Sequence, residues 1–344
     1  MRLPAALLLA VAGAAAITPI SAGDVPGKIR VKTTKREIEA VGMDGPIVAY
    51  DLHASGAGCN QVYVWNVNTN GGRIVSGGGT CDADNSSTGA GVVGIGVAGT
   101  RLAWIANSGG NTESDDDLYT SSVVAPKERH LLFAMRTGDV DRGMLDGDWI
   151  RGLYGDRDLL AVSTWSTRRG AVSRGALRLV GQARTTTIAR GERAIVCVAV
   201  GGNRIATAPG DGTIRLYSAG GRLVHTYPAG DARSAALTGE RLIVATAGGL
   251  RVYGTGPLGR LLATWPTSAR ADLVDAEGDL AVYSLGGRVF ALRISTGKTA
   301  LLVSAPRRIV GLQIERAGVV YAYNTTAGGR LVLTPTSRVE SRLG

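Results

Sequence analysis

The sequence has few of the residues from which enzymes most often build catalytic sites. Its 344 residues include 3 histidines, 3 cysteines and 2 phenylalanines. No metal-spaced histidine pair, cysteine–histidine arrangement or serine in a nucleophile elbow is present. After the N-terminus, no long stretch has the apolar spacing of an amphipathic helix. These absences disfavour the common nucleophilic hydrolases and an α-helical fold.

The charge is unbalanced toward basic residues. The chain has 38 lysines and arginines against 28 acidic residues, which gives a net charge of +10 and an isoelectric point near 9.8. A basic surface favours anionic partners, such as acidic polymers or lipid headgroups. The arginines are scattered, and no basic–aromatic platform or zinc-finger spacing accompanies them, so we predict no nucleic-acid partner. The alternative is that these arginines only solvate the outer strands.

The N-terminus has the pattern of a secretory signal peptide. Met1 and Arg2 precede an apolar segment over 3–17, and the small residues 21–23 follow it. We predict a signal peptide over 1–22, cleaved near Ala22 or alternatively after Ala16. An uncleaved anchor is the other possibility, which Pro4 and the short apolar run disfavour. The mature protein is therefore expected to be secreted or to lie in the periplasm or cell envelope, without a transmembrane span.

Glycine, by contrast, is abundant, with 50 residues, about twice the usual share of ~7%. The glycines separate short apolar runs, most clearly over 197–228, where four runs follow one another as in an antiparallel meander. This turn-plus-strand pattern recurs seven times around an alanine. The alanines are Ala49, Ala103, Ala161, Ala206, Ala245, Ala281 and Ala322.

The spacing of these alanines predicts the fold class. Successive steps are 54, 58, 45, 39, 36 and 41 residues, and a propeller blade has about 40 residues. Because one blade cannot bury both faces of its own sheet, several must pack around an axis. The sequence therefore predicts an all-β, seven-bladed β-propeller of four-stranded antiparallel blades. A two-sheet sandwich or two smaller barrels are the alternatives.

The spacing of the repeats also predicts where the parts of the chain begin and end. Residues 23–36 form an N-terminal segment, whose residues 29–32 are expected to add an outer strand to the last blade and close the ring. The propeller is predicted over 37–344. Its blades are expected at 37–90, 91–149, 150–191, 192–230, 231–268, 269–306 and 307–344.

In its repeat pattern, the chain resembles WD40-like and quinoprotein-like repeat propellers. The segment over 286–303 resembles a quinoprotein repeat, with matches at Ala291, Thr296 and Gly297. It departs from that pattern at Arg293, where the family has Asp, and at Leu301, where it has Trp. The Trp-Asp and Gly-His pairs of true WD40 blades are also missing. The resemblance implies a shape, and we expect no bound quinone or other cofactor from it.

Cys59 and Cys81 flank a predicted hairpin whose turn is centred on Asn70. If no bulge intervenes, the two cysteines lie opposite each other and are close enough for a disulfide. Such a bridge would stabilise the fold by about 3 kcal/mol. The alternative is two free thiols. Cys197 is expected to be a buried apolar residue.

Long links indicate a binding face. In a propeller, links between second and third strands, and links between blades, emerge at one end of the strands. We predict long links there over 52–59, 77–91, 107–117, 137–149 and 166–175, and loops commonly carry binding residues. The expected ligand-binding residues are His53, Asp115, Asp116, Asp117, Trp165, Arg168, Arg169 and Arg174. Neutral growth of the loops is the alternative.

One of these links contains alternating aspartates that resemble a calcium loop. Asp139, Asp141, Asp146 and Asp148 are the possible calcium ligands, because this cation prefers several oxygens from a flexible turn. The third alternating Asp and the distal Glu are missing. A solvated acidic loop is the alternative.

The sequence favours a binding module over an enzyme. We predict a secreted, monomeric propeller that recognises a protein, peptide or polysaccharide, anionic ligands included, through the long links of blades one to three. The alternative is a hydrolase or lyase with a cation at that face or in the central channel. Convergence of His53 with three or more carboxylates around the channel would favour that enzyme. A structural repeat module of an envelope assembly is a third possibility.

Overall fold

The computed structural model describes residues 27–53, 60–76, 91–109, 113–125, 129–141, 144–169, 171–191, 195–230, 232 and 234–344, with only the backbone at 139–141, 144, 145, 172, 173 and 197. The predicted signal peptide, Cys59 and Cys81 lie outside these residues. Within them, no helix is both long enough and apolar enough to span a bilayer.

The regular secondary structure of the described chain is antiparallel β-strand, apart from one short helix. The strand β1 (Arg30–Thr33) comes before the first sheet in the sequence. That sheet contains β2 (Val41–Asp44), β3 (Ile47–Leu52), β4 (Gln61–Asn66) and β5 (Gly72–Ser76). An eight-stranded sheet follows, with β6 (Gly91–Ala98), β7 (Arg101–Gly109), β8 (Glu113–Ser122), β9 (Arg129–Asp141), β10 (Met144–Asp156), β11 (Leu159–Arg168), β12 (Ala171–Val180) and β13 (Thr185–Gly191).

Four more four-stranded sheets complete the described fold. They contain β14 (Val196–Gly201), β15 (Arg204–Ala208), β16 (Thr213–Ser218) and β17 (Leu223–Pro228); β18 (Ser234–Thr238), β19 (Arg241–Thr246), β20 (Gly249–Gly254) and β21 (Leu261–Trp265); β22 (Val274–Glu277), β23 (Leu280–Leu285), β24 (Arg288–Arg293) and β25 (Thr299–Ser304); and β26 (Ile309–Glu315), β27 (Gly318–Thr325) and β28 (Gly328–Thr334) with β1. A short helix, α1 (Thr336–Leu343), follows β28.

With the eight-stranded sheet counted as two units of four strands, the described fold has seven such units, and we call β2, β6, β10, β14, β18, β22 and β26 their first strands. These first strands contact one another in cyclic order. The contacts run from β2 to β6, β10, β14, β18, β22 and β26, and from β26 back to β2. The strand β1 pairs antiparallel with β28, with Arg30 opposite Leu333 and Thr33 opposite Arg330. The last sheet therefore combines strands from both ends of the described chain.

The eight-stranded sheet differs from the predicted separation of blades two and three. The link over 137–149 is predicted as a long loop, but β9 and β10 pair directly, with Asp141 opposite Met144 and Thr137 opposite Gly147. The expected blade boundary after residue 149 falls inside β10. Hydrogen bonding across this hairpin joins eight strands into one sheet.

All seven repeat alanines lie on second strands, and each has 0% exposure. Their registers differ, however. Ala49 is two residues beyond Ile47, the first paired residue after the turn, and Ala103, Ala161 and Ala206 occupy the same position. The others deviate by one or two positions: Ala245 and Ala322 lie two residues farther along, and Ala281 lies one residue nearer the turn. Because the second strand is buried on both faces, a small residue fits at several places along it.

The turn between β24 and β25 requires a glycine at the position that resembles the quinoprotein repeat. Gly297 has a φ of +72°, and its N–H donates to the Arg293 carbonyl at 2.8 Å. A Cβ at this position would lie 2.6 Å from Cε3 of Trp265, on the preceding sheet. The missing side chain therefore permits both the turn and the packing of the indole.

Gly297→Ala is expected to lower the free energy of unfolding by about 1–3 kcal/mol, because it strains the backbone and displaces Trp265. Chemical denaturation measures this change. Gly210→Ala is the matched control, since Gly210 also has a positive φ (+79°) but its Cβ would meet nothing within 4 Å. Equal losses in the two variants would contradict a contribution from the Trp265 contact.

Candidate functional site

The first strands surround a central cavity of about 410 Å³. Its walls are mainly apolar, and they include Val41, Ile95 and Leu312. A smaller cavity of about 90 Å³ continues from it, since Met43, Gly155 and Gln313 line both.

Acidic residues gather around the smaller cavity. Asp44, Asp156, Glu277 and Glu315 are each the last residue of a first strand, namely β2, β10, β22 and β26. Asp156, Glu277 and Glu315 line this cavity together with Asp275 of β22, and Asp44 directly follows the lining residue Met43. We call these five acidic residues the carboxylate cluster. Since first strands end at the turn to the second strand, the cluster lies at the end of the strands opposite to the predicted binding face.

Three members of the cluster are in close contact. The carboxylate oxygens of Asp44, Asp156 and Glu315 lie within 4.8 Å of one another. Asp44 is 8% exposed, and its carboxylate accepts a hydrogen bond from the Gly99 N–H. Positive charge reaches the cluster at two acids: Glu277 lies 3.8 Å from Arg157 Nη2 and 3.9 Å from Arg316 Nε, and Asp156 lies 3.9 Å from Arg157 Nε. The charge of this group is thus only partly balanced by described cations.

Burial and mutual repulsion raise the pKa values of these acids. Burial, followed by the charge of Asp44, raises the pKa of Glu315 to about 9. Burial also raises the pKa of Asp275 to about 7, against hydrogen bonding from the Ile314 N–H at 2.8 Å. Burial, followed by the charge of Asp44, raises the pKa of Asp156 to about 6. At neutral pH, Glu315 therefore retains its proton.

This arrangement can bind protons, and its oxygens are also of the kind that hard cations such as calcium prefer. Sequence analysis did not identify it, because the three acids in close contact, Asp44, Asp156 and Glu315, are separated by more than one hundred residues and lie in different repeats. A signal was nevertheless present: Asp44, Asp156, Glu277 and Glu315 occupy the same place in their repeats, directly before the turn.

The predicted acidic loop over 107–117 is largely strand. The strand β7 continues to Gly109, and β8 begins at Glu113. The aspartates of β8 have partners of different kinds. Asp115 Oδ1 lies 3.6 Å from Arg136 Nε, and Asp117 accepts a hydrogen bond from the Tyr119 hydroxyl at 3.0 Å. Burial raises the pKa of Asp117. The loop prediction was wrong because pairing with β7 and β9 satisfies the backbone of this polar segment.

Asp116 faces inward and is 1% exposed. Its carboxylate accepts hydrogen bonds from the Ile150 N–H at 2.9 Å, Asn107 Nδ2 at 2.7 Å and Arg151 Nη1 at 3.2 Å. The Arg151 guanidinium in turn lies 4.6 Å from the ring centroid of Trp149 and 5.9 Å from that of Trp165. Asp116 thus fixes the arginine that contacts Trp165.

The predicted basic link over 166–175 is a tight hairpin between β11 and β12. Arg168 ends β11, and the backbone N–H of Arg169 donates to the Asp146 carboxylate. Arg174 Nε donates to Ser166 Oγ at 3.1 Å, and Ser166 Oγ donates to Asp148. The hairpin therefore links Arg174 to Asp148 through the Ser166 hydroxyl, and it links the backbone of Arg169 to Asp146.

A third cavity, of about 220 Å³, lies beside this hairpin, and we call it the arginine pocket. It is lined by Met135, Asp148, Thr164, Trp165, Ser166, Arg174, Gly175, Ala176, Arg178, Arg190 and Gly191. Trp165 also lines the central cavity. The structure thus brings together three predicted residues, namely Asp148, Trp165 and Arg174, and adds two arginines that the sequence did not single out.

His53 lies apart from the carboxylate cluster. Its Nδ1 is 3.5 Å from Glu39 Oε1, and Glu39 lines the central cavity near the predicted binding face. The cluster lies at the other end of the first strands. Within the described residues, His53 therefore does not converge with three carboxylates.

Two further predictions involve residues outside the described part. The side chains of Asp139 and Asp141 are not described, so a calcium site shared with Asp146 and Asp148 stays a prediction. The cysteine bridge also stays a prediction. Its premise of an uninterrupted hairpin is not met, because the pairing of β4 with β5 shifts between Val62 and Tyr63.

Comparison with known proteins shows the fold and no closer relationship. No family model and no curated protein matches the chain. A structure of the mitotic checkpoint complex aligns with a TM-score of 0.57 and 14% identity, covering 97% of this chain and 98% of that chain. Saccharomyces cerevisiae Sqt1 aligns at 0.51 and 10% identity over 89% and 97% of the two chains. The computationally designed protein Ika8 aligns at 0.51 and 13% over 88% and 98%. The chain therefore has a WD40-like propeller fold.

Proposed function

We propose that the chain is an exported seven-bladed propeller that functions as a binding module for a protein, peptide or polysaccharide. The cyclic contacts of seven first strands support the blade count, with the eight-stranded sheet counted as two blades. The signal-peptide pattern over 1–22 supports export. Similarity to WD40 propellers supports a binding role in general.

The arginine pocket is the observation that carries this proposal. It is concave, it lies at the end of the strands where long links were predicted, and it combines an indole with guanidinium and hydroxyl groups. Tryptophan and arginine are the residues that most often dominate the energy of binding interfaces. We propose that Trp165 and Arg174 contact the ligand directly.

The remaining predicted residues form the surroundings of this contact. We propose that Arg168, Arg169, Asp115 and Asp117 contact the ligand at the rim of the same face. His53 is proposed to act near Glu39, at the mouth of the central cavity. Asp116 supports the face through Arg151.

We do not propose a hydrolase or lyase. That activity depended on His53 meeting several carboxylates, and the described acids of the cluster lie at the other end of the first strands.

Trp165→Ala is expected to weaken ligand binding at least tenfold, because an interface tryptophan commonly contributes ~2 kcal/mol or more. The mature chain is screened on glycan and peptide arrays, and the affinity of each variant is then measured for the strongest probe. Leu261→Ala is the control, since it removes an exposed apolar side chain from β21, in a different sheet.

Both variants must melt within a few degrees of the parent for the comparison to count. Unchanged binding by a folded Trp165→Ala variant would contradict the proposed site. Failure of every glycan and peptide probe to bind the parent would contradict the binding function itself.

A further inference from the structure

A half-buried arginine in the arginine pocket, Arg178, has an unused donor. The Nε atom of Arg178 is inaccessible to solvent and has no hydrogen-bond partner among the described residues. The Arg178 guanidinium lies 5.3 Å from the ring centroid of Phe133, which supports its position by a cation–π contact but accepts no hydrogen bond at Nε. A buried donor without an acceptor is costly, and native structures usually supply a partner.

The charge around Arg178 is predominantly positive. Arg174 and Arg190 also line the pocket, and Asp148 is its one acidic lining residue. Asp148 already accepts a hydrogen bond from Ser166. Burial, followed by repulsion from Arg190, lowers the pKa of Arg178. In the described part of the chain, neither Arg178 nor Arg190 forms an ion pair with an acidic residue. Three guanidinium groups thus share one partly engaged carboxylate.

We propose that the arginine pocket binds an acidic sugar residue of a polysaccharide, with its negatively charged group at Arg178 and Arg190 and its ring beside Trp165. This inference rests on the proposed binding function and specifies its ligand. Guanidinium groups recognise carboxylate, sulfate and phosphate oxygens through paired hydrogen bonds. The negative charge relieves the repulsion between the arginines that line the pocket.

The other lining groups favour a sugar over an acidic peptide. Asp148 and the hydroxyls of Ser166 and Thr164 add hydrogen-bond acceptors to a pocket that is otherwise rich in donors. Sugar hydroxyls both donate and accept hydrogen bonds, so they can use both kinds of group. A second acidic side chain would be repelled by Asp148. The indole of Trp165 adds an apolar surface of the kind on which a sugar ring can pack.

The test uses calorimetric titration of the full mature chain with monosaccharides. Glucuronic acid is expected to bind, whereas glucose is expected to bind at least tenfold more weakly. Glucose 6-sulfate and glucose 6-phosphate identify which acidic group is preferred, and binding of any of the three acidic sugars supports the proposal. Equal binding of glucose and all acidic sugars would overturn it. An aspartate-rich peptide that binds as tightly as the best acidic sugar, or inorganic sulfate that does so, would also overturn the assignment to a sugar.

Arg178→Gln is expected to weaken the binding of the best acidic sugar at least tenfold. The matched control is Arg288→Gln, because Arg288 likewise lies over a phenylalanine, 5.7 Å from the ring centroid of Phe290, but belongs to β24 in another sheet. Since Arg178 also packs on Phe133, Arg190→Gln provides a second variant at an exposed side chain, for which a loss of at least threefold is expected. Parent-like affinity in both pocket variants would overturn the proposal.

The two proposals fail in different ways. A neutral array ligand whose affinity depends on Trp165 but not on Arg178 would overturn the acidic-sugar assignment and leave the binding function in place. An acidic monosaccharide whose binding depends on Arg178 supports the pocket assignment, whereas failure of both the array probes and all acidic sugars to bind would overturn both proposals.

Discussion

Asp116→Ala is expected to lower the free energy of unfolding by about 2–3 kcal/mol, because a buried donor that loses its acceptor costs ~1–3 kcal/mol. The substitution leaves the Ile150 N–H, Asn107 Nδ2 and Arg151 Nη1 without their common acceptor. Asn107 belongs to β7, whereas Ile150 and Arg151 belong to β10. In the order of the sheet, these two strands lie on opposite sides of β8. Chemical denaturation of parent and variant measures the loss.

Asp115→Ala is the matched control for this prediction. Asp115 is the neighbouring residue on the same strand, but its side chain is 43% exposed and its partner Arg136 is 81% exposed. An exposed ion pair contributes about 0–1 kcal/mol. Similar losses in the two variants would mean that the inward-facing contacts of Asp116 do not stabilise the sheet. The result also separates a structural role for Asp116 from its predicted role in ligand binding.

The melting temperature is expected to be roughly 5–10 °C higher at pH 5 than at pH 9, provided that disulfide state and salt are held constant. The pKa values of Asp156, Asp275 and Glu315 are raised to about 6, 7 and 9 in the folded protein, against about 4 in an unfolded chain. The folded state therefore binds protons more tightly over this range. The resulting stability is fully present below the unfolded pKa and is lost as the pH rises through 6 to 9. Burial raises the pKa of Asp51 to about 7, which acts in the same direction.

Glu315→Gln isolates the contribution of the carboxylate cluster. Because glutamine cannot ionise, the variant is expected to melt at the same temperature as the parent at pH 5 and several degrees higher at pH 9. Glu340→Gln on α1 is the control, since this glutamate is exposed. A parent whose melting temperature rises toward pH 9 and falls on addition of a chelator would contradict proton binding and indicate a cation held by these oxygens.

The repeat pattern predicted the strands well because burial constrains them directly. A second strand packed on both faces needs apolar and small residues, and all seven predicted alanines are buried on such strands. The pattern was less informative about register. Ala281 occupies a different position from Ala49, since more than one site along these strands accepts a small side chain.

Polar segments misled the prediction more than apolar ones did. The run over 113–117 is rich in acids and was expected to be a loop, yet it forms the start of β8. Its polar character reflects partners such as Arg136, Asn107 and Arg151, which lie in other strands or on the far side of the sheet. Such partners are separated from the run by up to several tens of residues, and composition alone does not reveal them.

The candidate sites were predictable only in part, for a related reason. Trp165, Arg174 and Asp148 were expected on one face and do line one pocket. Arg178 was missed because it lies within the regular strand β12, where an arginine normally faces solvent. Predicting the carboxylate cluster would have required aligning the strand ends of different repeats. Asp44 and Glu315 become neighbours only because β26, in the last repeat, packs beside β2, in the first.

The pairing of β1 with β28 has a consequence for the order of events during biosynthesis. Residues 30–33 are made near the beginning of the described chain, and their partners at 330–333 are made near its end. The final sheet cannot acquire its outer strand until translation has passed residue 333, so the emerging N-terminal strand waits with its backbone groups unpaired. This delay would suit the export that we propose, because a polypeptide that has not finished folding can still pass through a translocation channel.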